Sequence, residues 1–480
     1  MINLEPHQLW KHFEDILKIP RPSGHEAEIR NHLIQFADRL KLDYRVDPAG
    51  NLLIIKPACK GLEAAPVVIL QSHLDMVGEK HSEHKHDFLK DPIDAYVDGN
   101  WIKARGTTLG ADDGIGIAAQ MAILEAKDLD HGRIECLFTV EEETGLTGAF
   151  GLEQGFMQGK ILINLDSEDE GELFIGCAGG VDTTAWLIYL QEEVPEGYLG
   201  FRITVSGLKG GHSGDDIHKG LGNSNKILAR FLRQASEIHG LRIHGFDGGN
   251  LRNAIPREAR ANIAVSASSA GRMLEDFDQF VQAIKGELIR TEPDLAMTMQ
   301  ASDLPDWVID PDAQLRFLHA VTACPHGVIA WSQTMPGMVE TSTNLAAIKF
   351  IDDRIKITTS QRSSLESAKK NVADMVESVM LLAGAKTERG TGYPGWNPNP
   401  DSLVLKITRE AYQRLFGVEP VVRSIHAGLE CGLFLEKYPD LDMVSFGPTI
   451  RGAHSPDERL DIESTRKFWT LLTEVLKQIK

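Results

Sequence analysis

VVILQSHLDMV, residues 67–77, carries the reading that decides the fold. Its first four residues are apolar, partly β-branched and strand-sized. They run into His73 and Asp75, which lie two apart and so point to the same face at a strand end. The pattern recurs in IECLFTVEEETGL (134–146) and ILINLDSED (161–169), each a short apolar run followed at once by acids, and Ala118–Ala126 before them reads as helical. That alternation predicts an α/β layer with a largely buried sheet. In such a layer the working residues sit just beyond strand ends, where a rigid sheet holds the loops.

Further along, after GCAGG (176–180), the texture changes. Alternating segments TTAWLIYL (183–190) and FRITVSG (201–207) precede a helical stretch from Lys219 to Glu237. Alternation returns at Ala261–Ala267 and Ile348–Ser360, with helical periodicity at Met273–Ile289 and Leu365–Leu382. This predicts an α+β insertion. GTGYPGWNPNP (390–400) reads as the return crossing, since neither helix nor central strand tolerates its Pro and Gly. The expected layout is a discontinuous first domain over 1–180 and 394–480, with an inserted domain over 181–393.

Composition narrows the function classes. The chain has 480 residues, too many for one small binding module, with 42% hydrophobic and 25% charged residues, the balance of a globular protein. Fifty Lys and Arg stand against 69 Asp and Glu, and a net charge of −19 repels nucleic-acid backbones and anionic lipid, so neither is expected as a partner. Cys59, Cys136, Cys177, Cys324 and Cys431 are scattered and odd in number, with no CxxC pair, which suits a reducing compartment. The N-terminal segment reads as an amphipathic helix with Leu9, Phe13, Ile16 and Leu17 on one face, not as a signal peptide. Apolar runs stay far below the roughly 18 residues of a membrane span. A cytoplasmic protein is expected.

Five polar clusters follow the strand-like runs or lie in loops: His73 and Asp75; Asp112 and Asp113 in TTLGADDGIG; Glu141, Glu142 and Glu143; Asp166; and His454 in RGAHSPDER. Singly, each has an ordinary explanation. HxD suits a hydrogen-bonded surface pair, paired acids suit a helix N-terminus, and an acidic run suits a solvated face. Jointly, two imidazoles and three carboxylates at strand ends form the nitrogen and oxygen ligand set of borderline divalent metals such as zinc. A histidine with a carboxylate beside it also has the acceptor that orients a metal-binding imidazole. Two dications would be balanced by three ligand carboxylates and one bridging hydroxide.

These residues, in this order, resemble the co-catalytic zinc exopeptidase family that includes glutamate carboxypeptidase, aminoacylase and the aminoacyl-histidine dipeptidases. ILINLDSEDEGELFIGCAGG, GLKGGHSGDDIHKG and HAGLECGLF look like the aminoacyl-histidine (cytosol non-specific) dipeptidase branch, so the resemblance spans the chain. It implies an α/β catalytic domain, a mixed sheet flanked by helices, with an inserted α+β domain acting as lid and homodimer surface. It further implies two divalent metals, Zn2+ first, with Co2+ or Mn2+ able to share the ligands. Asp112 would bridge them, His73 and Asp166 would complete one site, and Glu143 and His454 the other. Asp75 would orient His73. Glu142 would be the general base acting on a metal-bridging hydroxide. The Asp112–Asp113 peptide would be cis. His212 in GGHSGDD would polarise the scissile carbonyl, and Asn253 in LRNAIPRE, Arg362 in TSQRSS and Gly428 in HAGLECG would hold the dipeptide. Aspartate at position 166 favours a peptidase acting on a free amino terminus over an N-acyl amino acid deacylase or a carboxypeptidase. A non-catalytic metal-binding protein is the remaining alternative, weighed against by the intact base.

Other residues are set aside. HSEHKHD (His81, His84, His86) reads as a solvated loop rather than an accessory metal site. His426 and Glu430 could line the pocket without touching metal. Cys136 and Cys177 read as buried packing. GGHSGDD lacks the lysine spacing of a phosphate-cradling loop.

Overall fold

The three apolar runs become the middle of one sheet. Val68–His73, Ile134–Thr139 and Ile161–Asn164 are strands in which every residue is buried, as parallel strands covered on both faces must be. The computed structural model describes residues 4–480, so Met1–Asn3, the start of the expected first domain, lie outside the described residues. The sheet has eight strands in the order Asp43–Val46, Leu52–Lys56, Ile134–Thr139, Val68–His73, Ile161–Asn164, Asp442–Ser445, Glu172–Cys177, Val421–Ile425. The four from Ile134–Thr139 to Asp442–Ser445 run parallel, and the pairings outside them that carry Leu52–Lys56 and Glu172–Cys177 are antiparallel. Register puts His73 opposite Thr139 and Gln71 opposite Asn164. The C-terminal ends of three strands therefore finish side by side.

Helix Ala111–Glu125 is buried nearly all round, which explains its lack of a polar face. The N-terminal helix His7–Ile16 buries Leu9, Phe13 and Ile16 and packs against it, and Leu17 follows as its C-cap.

Two compact units divide the chain. The first takes the chain through Cys177, Trp396–Ser424 and Leu429–Lys480, and the second takes Ala178–Gly395 with Ile425–Gly428. The second is built on a nine-stranded, largely antiparallel sheet, with helices Ser224–His239, Ala267–Glu287, Pro311–Ala323 and Glu366–Leu382 and a core that includes Phe231, Phe277 and Phe317. Four residues of the C-terminal stretch thus group with the insertion. The alternating stretch 348–360 is two strands, Val339–Ile351 and Arg354–Ser363, because Asp352 turns the chain at φ +53, a conformation aspartate tolerates. The helical stretch expected from Lys219 begins at Ser224, since Gly220 sits at φ +68 and the Asn223 side chain caps the helix by accepting from the Lys226 N–H. Among the described residues no helix is long and apolar enough to cross a membrane.

Candidate metal centre and active site

His73 closes its strand with its ring 1% exposed. Its Nε2 lies 3.0 Å from Asp112 Oδ1 and 3.4 Å from Asp166 Oδ1. The other oxygen of Asp112, Oδ2, lies 3.1 Å from His454 Nε2, which is itself 3.0 Å from Glu143 Oε2. One aspartate therefore stands between two imidazole–carboxylate sets, one on each oxygen. Ligand atoms of His73, Asp112 and Glu143 fall within 4.8 Å of one another. All five residues named for metal binding come together in the first unit. Glu143 Oε1 is buried without a hydrogen-bond partner, an arrangement that costs free energy unless something fills it. The donor set fits divalent cations on that ground and on its chemistry.

Crowding shows in the titration behaviour. Burial raises Asp166 to about 7 although His73 opposes it, and burial drives Glu142 well above the usual carboxylate range, with Asp166, Glu430 and Glu143 adding to the shift. The bonds to Asp112 and Glu143 push His454 up to about 11. Burial disfavours charge on His73, but Asp166, Asp112 and Asp75 outweigh it and raise the imidazole. Such groups compete for protons when no cation stands among them.

Asp75 is a hub. Its carboxylate accepts the backbone N–H groups of Glu142 (3.0 Å) and Glu143 (3.2 Å) and the Ser23 hydroxyl (2.7 Å). Its Oδ1 is 3.4 Å from His73 Nδ1, whose hydrogen bond goes to the Asp75 carbonyl at 3.1 Å. Burial works against its charge, yet these partners hold it at about 2. The Asp112–Asp113 peptide is cis.

Two residues absent from the sequence reading complete the frame. Arg21, wholly buried, donates to the carbonyls of Leu74 (2.9 Å), Asp75 (2.6 Å) and Gly110 (2.5 Å). It ties the His73 strand end to the turn before Asp112. Glu458, 2% exposed, accepts four backbone N–H groups: Leu109 (2.7 Å) and Gly110 (2.9 Å) on one oxygen, Ala111 (2.7 Å) and Asp112 (3.2 Å) on the other. A carboxylate so placed at a helix N-terminus is favourable, and Glu458 lies in the loop of His454. The only sequence signal was that Glu458 lies four residues after His454 in RGAHSPDER; nothing near Arg21 in the sequence marked it. Glu26 joins them by accepting the Glu141 N–H at 3.2 Å, at a residue with φ +49.

Behind the ligands lies a buried polar chain. Glu430 Oε2 accepts from Gln71 (2.6 Å) and Thr139 (2.7 Å), Gln71 accepts from Asn164 (2.6 Å), and Asn164 accepts from Ser445 (2.5 Å). Burial lifts Glu430 to about 8.

The substrate residues named from the sequence fall in the second unit. His212 lies on the two-residue strand Gly211–His212 paired with Ala254–Ile255, its Nδ1 3.3 Å from Asp215 Oδ2, and the Asn253 carbonyl accepts the Ser213 N–H at 2.8 Å. The Asn253 side chain is exposed. Arg362 is buried, gives Nη1 to the Tyr393 hydroxyl at 3.2 Å and leaves Nε without a partner. Its cross-strand neighbour Ser342 is hydrogen-bonded to His426 Nε2 at 2.7 Å. Burial, aided by Arg362, lowers His426 to about 3. A Cβ on Gly428 would come within 2.8 Å of the Tyr393 ring, so no larger residue fits there without displacing it. Cys136 and Cys177 are fully buried.

Three members of this di-imidazole, tri-carboxylate cluster close or follow parallel strands, while Asp112 opens a helix and His454 lies in a loop rather than at a strand end. Such a cluster fits a class of metallopeptidases, and the chain is a member of one family of them: residues 69–478 match the model of peptidase family M20/M25/M40. Within it, the chain is 47% identical over 476 residues to the cytosol non-specific dipeptidase of Escherichia coli strain K12, covering 99% of this chain and 98% of that one. Its structure matches the crystal structure of aminoacylhistidine dipeptidase from Vibrio alginolyticus with a TM-score of 0.94 at 44% identity, over 100% and 98% of the two chains. Aminopeptidase PepT from Bacillus cereus shares the fold, with a TM-score of 0.59 at 17% identity over 99% of each chain.

Proposed function

We propose that the protein is a metal-dependent dipeptidase hydrolysing unblocked dipeptides, Xaa-His and β-Ala-His among them. The observation that carries this reading is Asp112, with one oxygen toward His73 and Asp166 and the other toward His454 and Glu143. Identity to a dipeptidase over nearly the full length supports the substrate class. His73, Asp112 and Asp166 would hold one divalent ion, and Asp112, Glu143 and His454 a second, zinc being the best match to mixed imidazole and carboxylate donors. When bound, such ions supply a Lewis acid for the peptide carbonyl and make water acidic enough to attack at neutral pH.

The rest of the chemistry is the chain's own. Glu142, set beside Glu143 by the Asp75 hub, takes the proton from the attacking water and returns it to the leaving amine. His212 donates to the carbonyl oxygen as negative charge develops on it. The fork of Arg362, short of a partner at Nε, receives the terminal carboxylate, with Asn253 and Gly428 against the substrate backbone. The second unit acts as lid and homodimer surface, and the protein works in the cytoplasm.

Hydrolysis of L-Ala-L-His, β-Ala-L-His and N-acetyl-L-Ala by metal-reconstituted protein tests the reading. Metal-dependent cleavage confined to dipeptides is expected. Preferential cleavage of the acetylated compound would replace it with a deacylase, and no cleavage with metals bound would remove the catalytic reading.

A further inference from the structure

A small four-stranded sheet of the first unit pairs Ile450–Arg451, Arg459–Asp461, Trp101–Ala104 and Ala95–Asp98 in that order. Lys103 is directly opposite Tyr96 on one side and Arg459 on the other, and Arg459 is directly opposite Arg451. Directly paired residues share a face, so three cations stand in a row. Like charges placed this way weaken a sheet. In a chain of net charge −19 such a row is not a by-product of composition.

Two members of the row, Lys103 and Arg459, line a cavity of about 450 Å3, together with Tyr96, Arg105, His81 and His84. The histidine loop is therefore not fully solvated: His84 is half-buried, its ring 2.7 Å from where a Cβ on Gly106 would lie. Countercharges are unequal. Arg451 is engaged by Asp169 at 2.7 Å. Lys103 meets Asp98 at 2.6 Å and Arg105 meets Asp94 at 3.4 Å, but those acids are 54% and 73% exposed, so the pairs are screened and weak. Arg459 lies over the Trp101 ring at 5.0 Å, and its Nε is buried without a hydrogen-bond partner. Glu458 lines the cavity, yet its oxygens are occupied by the four N–H groups of the Leu109–Asp112 turn. Asp457, exposed, is the other acid of the lining.

We propose that this cavity binds a compact multivalent oxyanion of the phosphate class, seated between Lys103 and the Arg459 guanidinium. An anion there replaces repulsion between directly paired cations with two charge-assisted contacts. Free phosphate and the phosphomonoester of a small metabolite share that chemistry. His73, Asp112, Asp166, Glu143 and His454 do not line it.

Isothermal titration calorimetry of inorganic phosphate into metal-loaded protein at constant ionic strength, with glycerol 3-phosphate as the ester arm, tests the site. Saturable binding is expected, with the tighter arm naming the source. Lys103→Met and Arg459→Met should each weaken it roughly tenfold or more, the loss of one charged hydrogen bond. Arg459→Lys should fall between, and Lys285→Met, on a helix of the other unit, should leave it unchanged. Without phosphate, Lys103→Met should melt no lower than the parent protein, and phosphate should raise the parent's Tm but not the variant's. Absence of saturable binding, or binding that survives in both methionine variants as binding at the metal ligands would, overturns the proposal.

Discussion

In the first unit the candidate ligands are held by a buried frame: His73 by Asp75, the backbone of Glu142 and Glu143 by Asp75, the Asp112 turn by Glu458. In the second unit His212 sits on a two-residue ribbon with its ring 33% exposed and Asn253 is open to solvent, while Arg362 is buried on the strand Arg354–Ser363. The difference follows the task. Ligands that must meet a cation at fixed distances gain from a frame that pays for their arrangement during folding, whereas His212 and Asn253, two of the groups proposed to receive the substrate, are left with exposed donors.

Glu142→Ala breaks the comparison most severely. Turnover should fall by about 10²–10⁴-fold, the usual worth of a general base, while metal content by mass spectrometry stays at the parent level; metal lost in parallel would make Glu142 a ligand instead. Next comes Glu458→Gln. The amide replaces one acceptor oxygen by a donor facing two N–H groups, so the Asp112 turn should loosen. Metal affinity should drop roughly 10–100-fold, as for other supporting partners of ligands, read by competition with a chelator. An unchanged affinity would show that the turn holds without it.

Arg362→Lys probes the second unit and should behave differently. A point charge cannot reproduce the guanidinium fork, so KM should rise by about tenfold for the loss of one charged hydrogen bond, with kcat and metal content little changed. A fall in kcat alone would move Arg362 from substrate binding to the chemical step. The smallest effect belongs to Glu430. Its pKa is raised from an ordinary 4.5 to about 8 by burial, so the folded state holds a proton that the unfolded chain releases. Stability is fully present below about pH 4.5 and is lost as pH rises through about 8. Glu430→Gln should flatten that decline in urea titrations of chelated protein, and an equal slope in both proteins would show that Glu430 ionises at no cost.

Legibility divided along the same line. Three central strands were readable because burial on both faces demands largely apolar runs, whereas the outer strands Asp43–Val46 and Val421–Ile425 carry no such run. The insertion was readable in texture, but its elements less so: the hairpin at Asp352 and the late start at Ser224 depend on single left-handed residues and one capping side chain, which periodicity does not register. Arg21 and Glu458 were missed for a stronger reason. Their partners are backbone groups 53 to 89 and 346 to 349 residues away, and a backbone N–H or carbonyl leaves no mark in the residue type.

What the sequence by itself determined is the α/β layer, the insertion and the polar clusters from which the candidate ligands come, since periodicity and side-chain chemistry are written residue by residue; which acid of each cluster is the candidate came from the family resemblance. Tertiary structure alone decided the distances from the two Asp112 oxygens to His73 and His454, that residues 425–428 join the second unit, and that Lys103 and Arg459 stand side by side at a cavity. Each of these is a distance between parts of the chain far apart in sequence, fixed only when the strands take their register.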